Sequence, residues 1–251
     1  MERRLTKPQK LIVGNWKMNG SSAALAEART VAAGLGAITA RVALCPPSVL
    51  IGRMAEALAG SAVKVGGQDC HAEVSGAFTG DTAAEQLVDA GAALVIVGHS
   101  ERRARYGEDD ACVAAKASAA LRAGLEPIIC VGETLAQRES GEALAVVTAQ
   151  VRSSVPAELA GKPYAVAYEP VWAIGTGLTP TTPQIEEVHR AIRATLLDIS
   201  GSAGADVPIL YGGSVKPSNA GEILNADEVG GALVGGASLK AADFLGILRA
   251  L

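Results

Sequence analysis

Eight short apolar runs, each followed by a stretch with helical spacing, constrain the fold of this chain more than any other feature. The runs are Leu11–Trp16, Arg41–Cys45, Val63–Gln68, Ala93–Gly98, Pro127–Val131, Ala165–Tyr168, Pro208–Tyr211 and Ala232–Gly235. They are too short for helices and almost continuously apolar, as strands of a parallel sheet covered on both faces must be. Helix-like segments lie between them, among them Ser21–Gly36, Asp109–Gly124, Pro183–Ile199 and Lys240–Leu251. Ser21 and Asp109 read as caps, with glycines near the far ends. Repeated right-handed β–α crossovers can close a sheet on itself, so the pattern predicts an α/β protein of the (β/α)₈ barrel class. An open, doubly wound sheet is the rival on rhythm alone. No linker, low-complexity tract or charge block divides residues 1–251, and a single domain is expected.

The composition fits such a core and excludes several functions. With 49% hydrophobic and 19% charged residues the chain is not a disordered one. A net charge of −4 gives no electrostatic reason to expect nucleic acid as a partner. No apolar run approaches the roughly 18–20 residues of a membrane helix. The segment Met1–Lys10 is charged and lacks a following apolar stretch, so no signal peptide is expected. Cys45, Cys70, Cys112 and Cys130 are far apart, with no CxxC pair, which signals neither a zinc site nor a disulfide framework. A reducing, cytoplasmic setting is the default expectation.

A barrel places its active site at the C-terminal ends of its strands. Unusual polar residues fall there repeatedly: Asn15 and Lys17, Gln68–Asp69, His99, Glu133, Glu169, Gly212–Gly213–Ser214 and Gly235–Gly236. Each alone also reads as a surface or structural residue; together they describe one rim. Glu169 precedes Pro170–Pro180, a loop with an apolar tip (Trp172, Ile174) and glycines at 175 and 177. Such a loop suits a lid, and a carboxylate desolvated beneath it gains basicity, as a general base requires. His99 lies at the start of a predicted helix, where a backbone N–H can bond to its ring and the helix N-terminus opposes protonation. A neutral imidazole there could donate to a substrate oxygen, although a buried structural histidine fits as well. Lys17 could draw in an anion and stabilise negative charge on oxygen. The glycine turns after the seventh and eighth runs permit close backbone approach to a phosphate, and Gly175 could add another N–H. His71 and His189 read as structural or solvated.

In order and spacing, the stretches GNWKMN (Gly14–Asn19), GAFTG (Gly76–Gly80), VGHSERR (Val97–Arg103), CVGE (Cys130–Glu133), AYEPVWAIGTG (Ala167–Gly177), YGGSV (Tyr211–Val215) and GALVGGASL (Gly231–Leu239) resemble the triosephosphate isomerase family. The resemblance spans essentially the whole chain and implies a TIM barrel. It further implies interconversion of dihydroxyacetone phosphate and D-glyceraldehyde 3-phosphate, in glycolysis and gluconeogenesis, with no metal or organic cofactor. Carried over, Glu169 is the base and neutral His99 the electrophile, while Asn15 and Lys17 bind substrate and steady the enediolate. Gly175, Ser214, Gly235 and Gly236 hold the phosphate, and Glu101 supports Lys17. A homodimer is implied through the loop 71–80, with Thr79 reaching the partner's active site.

Three departures from the family pattern stand out. Asp69 and Asp81 occupy positions where Asn and Glu are common. Leu178–Thr179–Pro180 ends the lid where Lys-Thr-Ala is frequent. Pro180 has no N–H to donate a closed-lid bond to Tyr211. Closure is therefore expected to lean on Ser214 and the Gly175–Gly177 amides, and Tyr211→Phe to lose less kcat/KM here than in members with Ala. Among other functions, an aldolase would need a Schiff-base lysine, with Lys64 the main candidate. A metal-dependent epimerase would need several His and Asp ligands at strand ends, and a non-catalytic barrel would have no use for Glu169 and His99.

Overall fold

Eight strands pair in sequence order: β1 (Leu11–Asn15), β2 (Arg41–Cys45), β3 (Val63–Gly67), β4 (Leu94–Val97), β5 (Glu126–Val131), β6 (Ala165–Tyr168), β7 (Ile209–Tyr211) and β8 (Gly231–Val234). Every pairing is parallel, and β8 returns to β1 in the register Leu11↔Gly231 to Gly14↔Val234. That last ladder closes the barrel and eliminates the open-sheet alternative. The structure, a computed structural model, describes residues 9–174 and 178–251.

Helices return the chain from the end of each strand to the start of the next: α1 (Leu25–Ala33), α2 (Ile51–Ala57), α3 (Ala84–Asp89), α4 (Ser100–Tyr106) with α5 (Asp110–Ala123), and α6 (Leu135–Glu139) with α7 (Ala143–Ser154). They continue with α8 (Thr182–Ser200) and α9 (Ala220–Asn225), while α10 (Ala241–Leu248) follows β8. Asp109 caps α5 by accepting from the Cys112 N–H, and Gly124 ends that helix at φ 85°. Ser21 behaves otherwise than expected. The chain first makes a 3₁₀ turn over Ser22–Ala24, and the Ser21 side chain forms no capping bond. Helix α8 starts at Thr182, inside a capping box of Thr181 and Gln184.

The core has two layers. Leu11, Val13, Ala43, Leu94, Ile96, Ile128, Ala165, Ala167 and Leu210 fill the barrel interior. Between sheet and helices lies a larger layer that includes Ile12, Val147, Val151, Ile185, Val188 and Phe244. Each large aliphatic side chain buried there contributes about 1.5–3 kcal/mol relative to exposure. Alternation along the strands sets which residues face inward. It carries the series Leu11, Val13 on to Asn15, and Ala165, Ala167 on to Glu169, so both polar residues arrive at the barrel mouth.

Candidate active site

At the C-terminal mouth a pocket of ≈ 360 Å³ is lined by Asn15, Lys17, His99, Glu169, Gly212, Gly213, Ser214, Gly235 and Gly236, together with Ile174 and Leu233. The structure therefore gathers the sequence-predicted residues of five strand ends around one space. Gly175 and Gly177 lie outside the described residues.

Glu169 is 1% exposed. Its Oε2 accepts from the Ser100 N–H at 2.9 Å, and its Oε1 accepts from Ser100 Oγ at 3.2 Å. His99 Nε2 lies 2.9 Å from the same Oε1. Burial alone would raise the carboxyl pKa, but the His99 ring and the two Ser100 donors outweigh it and hold Glu169 below its ordinary value. The basicity expected from burial is thus reversed in this arrangement, because the carboxylate has found donors. Neighbouring strand ends make room for it. A Cβ on Gly132 would stand 1.8 Å from the Glu169 carbonyl oxygen, and one on Gly212 would stand 2.9 Å from its Cγ. Gly212 was expected as part of a phosphate turn; its contact with Glu169 adds a second, steric reason for glycine there.

His99 is the N-cap of α4, and its Nδ1 accepts from the Glu101 N–H at 3.2 Å. With that nitrogen accepting, Nε2 carries the ring proton and points at Glu169. Lys17 adopts φ 51°, uncommon for a lysine and costing roughly 1–2 kcal/mol. Three contacts hold it: its N–H donates to Asn15 Oδ1 (3.0 Å), its carbonyl accepts from Gln68 Nε2 (2.8 Å), and its Nζ pairs with Glu101 Oε1 (2.5 Å). On the far side of the pocket, Asn219 Nδ2 donates to the Ser214 carbonyl at 3.1 Å, and Ser238 Oγ donates to the Gly235 carbonyl at 2.7 Å. These bonds shape both glycine turns from below.

Three residues expected on the rim sit elsewhere. Gln68 lies beneath Lys17, donating also to the Cys45 carbonyl. Asp69 joins a part-buried ionic cluster with Lys116 (2.7 Å) and Arg102 (2.8 Å). Glu133 is fully buried, and its Oε1 accepts from Arg138 Nε, Tyr168 Oη and Trp172 Nε1. Trp172 is therefore a half-buried anchor and not an exposed loop tip. Lys64 is exposed on β3. His189 is buried in α8, its pKa pushed down to about 4 by that burial. Pro180 and Tyr211 are both buried. Sequence reasoning missed the Ser100–Glu169 bonds and the clearance role of Gly132; the adjacency of Gly132 to a strand end was the signal available. Among the described residues, no group of three His, Cys, Asp or Glu could hold a metal ion, and no helix is long and apolar enough to cross a membrane.

Comparison with known proteins gives a consistent picture. A family model described as triosephosphate isomerase matches residues 10–251. The chain is 60% identical over 248 residues to a triosephosphate isomerase of Caulobacter vibrioides, covering 98% of each. It is 59% identical over 241 residues to one of Xanthobacter flavus, covering 96% of this chain and 97% of that one. A crystal structure of triosephosphate isomerase from Bartonella henselae superimposes with a TM-score of 0.91 at 46% identity, covering 96% of this chain and 98% of the other.

Proposed function

The chain belongs to the triosephosphate isomerase family, and on that premise we propose that Glu169 and His99 interconvert dihydroxyacetone phosphate and D-glyceraldehyde 3-phosphate. Glu169 takes a proton from the hydroxymethyl carbon beside the carbonyl. The electron pair of that C–H bond forms the enediolate, and its charge gathers on the former carbonyl oxygen. His99 donates its Nε2–H to the enediol oxygens and moves a proton between them. Glu169 then returns its proton to the neighbouring carbon. Lys17 and Asn15 hold the substrate oxygens, and Lys17 offsets the negative charge that develops. Backbone N–H groups of Gly175, Ser214, Gly235 and Gly236 take the phosphate, aided by the absence of side chains at the glycines.

The observation that carries this reading is the 2.9 Å approach of Glu169 to His99 inside a pocket that also borders Lys17 and two glycine turns. Glu169 must exchange its Ser100 and His99 bonds for the substrate carbon. Leaving them removes the groups that depress its pKa, so the base strengthens where desolvation by a closed lid acts on it. In a coupled assay with glyceraldehyde 3-phosphate, Glu169→Gln is expected to lower kcat by about 10²–10⁴ with little change in KM. Wild-type turnover by that variant would remove Glu169 as the base.

The same reading makes the chain one catalytic domain, active as a homodimer through the loop 71–80 with Thr79 near the partner's site. It places the enzyme in the cytoplasm, which agrees with four free cysteines.

A further inference from the structure

Successive carbonyls at the end of β5 are taken alternately from outside the barrel and from the segment that carries Glu169. Arg103 Nη2 donates to the Cys130 carbonyl at 3.1 Å. The Glu169 N–H donates to the Val131 carbonyl at 2.7 Å, and the Val171 N–H to the Glu133 carbonyl at 3.1 Å. Gly132 lies between those two rungs. Its N–H donates to Gln150 Oε1 at 2.7 Å and its carbonyl accepts from Gln150 Nε2 at 3.1 Å. One side-chain amide, projected from α7, thus grips both polar groups of the residue at which any Cβ would collide with the Glu169 carbonyl.

We infer that Gln150 is a positioning residue for the base: it fixes the Gly132 peptide as the shelf beneath Glu169 and thereby sets where the carboxylate pivots. The inference rests on the proposed role of Glu169. Gly132 has no side chain of its own to lock it, and a cavity of ≈ 240 Å³ bordered by Gly98, Ser100, Gly132, Gln137, Gln150 and Glu169 leaves space for it to shift. Without the amide, the Gly132 N–H and carbonyl lose these partners and the peptide turns to seek others. The phosphate turns belong to β7 and β8 and are not held by Gln150.

Two variants test this. Gln150→Leu keeps the bulk and removes both bonds; kcat should fall roughly 10- to 100-fold, as expected for a displaced catalytic group. KM for glyceraldehyde 3-phosphate and the Kd for inorganic phosphate should stay within about twofold, since only the reacting end has moved. Gln150→Glu adds a signature that mere loosening of the fold would lack. Ionised, its carboxylate faces the Gly132 carbonyl and repels it; protonated, it restores both the donor and the acceptor. Its kcat relative to wild type should therefore climb as pH falls from about 8 to about 5.5, because a carboxyl facing a carbonyl titrates above its ordinary value. A Gln150→Leu enzyme with kcat within about twofold of wild type would overturn the inference. So would an equal weakening of phosphate binding, or a pH-independent ratio for Gln150→Glu. Glu169→Gln, assayed alongside, separates the two readings: its activity decides the base, whereas full activity of Gln150→Leu beside an inactive Glu169→Gln rejects the shelf alone.

Discussion

With its Ser100 and His99 contacts in place, the Glu169 carboxylate is a well-satisfied anion. Three donor contacts from His99 and Ser100 converge on it, and together they overcome a burial that would otherwise favour the protonated form. In the substrate-free enzyme, a carbon-detected NMR titration should therefore place the Glu169 carboxyl below its ordinary value of 4.5. Ser100→Ala removes the Oγ donor and should move that midpoint upward. An unmoved or lower midpoint would show that Ser100 does not hold the anion. The sign for stability follows. The ionised form is the one held, so its contribution is complete above the ordinary carboxyl range and is lost as pH falls through the lower folded value. None of this was legible from Glu169 and Ser100 themselves, which lie 69 positions apart in the chain. What could be read locally was the position of each at a strand end. The positive φ of Lys17 was equally hidden, because lysine has no intrinsic preference for it and the strain is held by Gln68, another strand's residue.

At the scale of elements, the segment leading into the loop after β6 is tethered by one buried carboxylate. Glu133 Oε1 accepts from Trp172 Nε1 at 2.9 Å, from Tyr168 Oη at 3.0 Å and from Arg138 Nε at 2.8 Å. Trp172→Phe keeps an aromatic ring and deletes one donor to a charged acceptor, a loss of about 1.5–3 kcal/mol. The urea midpoint should fall accordingly, and kcat/KM should fall with it as the approach to Ile174 loosens. An unchanged midpoint would mean the indole bond is replaced by water. In sequence alone Trp172 reads as an exposed tip, because an aromatic in a loop between two prolines offers no local hint of an inward partner. By contrast, β2 and β6 span the very residues that their apolar runs marked, and the other strands differ by one residue at one end or both. Burial on both faces makes a strand of this barrel a continuous apolar word, so its limits are written locally. Helix starts are less secure: Asp109 caps α5, whereas Ser21 in a similar setting is passed over in favour of a 3₁₀ turn.

At the scale of the whole molecule, several large apolar side chains near the active-site mouth and the loop 71–80 stand exposed to water. Among the described residues, Met18 is 95% exposed, Val49 81%, Tyr106 70%, Val74 51% and Phe78 43%. They are linked to the site through a short chain of contacts. Tyr106 lies under the Arg102 guanidinium at 4.6 Å, Arg102 pairs with Asp69, and the adjacent Gln68 holds the Lys17 carbonyl next to Met18. A groove of ≈ 430 Å³ bordered by Ser48, Asp69, His71, Gly80 and Tyr106 runs beside the loop 71–80. Covering exposed apolar side chains of this size is a strong drive to association. A second copy seated here would also clamp the backbone that keeps Lys17 at its costly φ. The wild-type chain should therefore run at twice its own mass in light scattering. A variant with residues 73–79 replaced by a short glycine-serine turn should run as a folded monomer. Its kcat should fall on the order of 10²-fold, because the backbone around Lys17 then loses the second copy's support at its costly φ. Its circular dichroism should be retained, since the barrel closes within one chain through β8 and β1. Full turnover by that monomer would show that each barrel is complete alone and that the apolar face serves something other than catalysis.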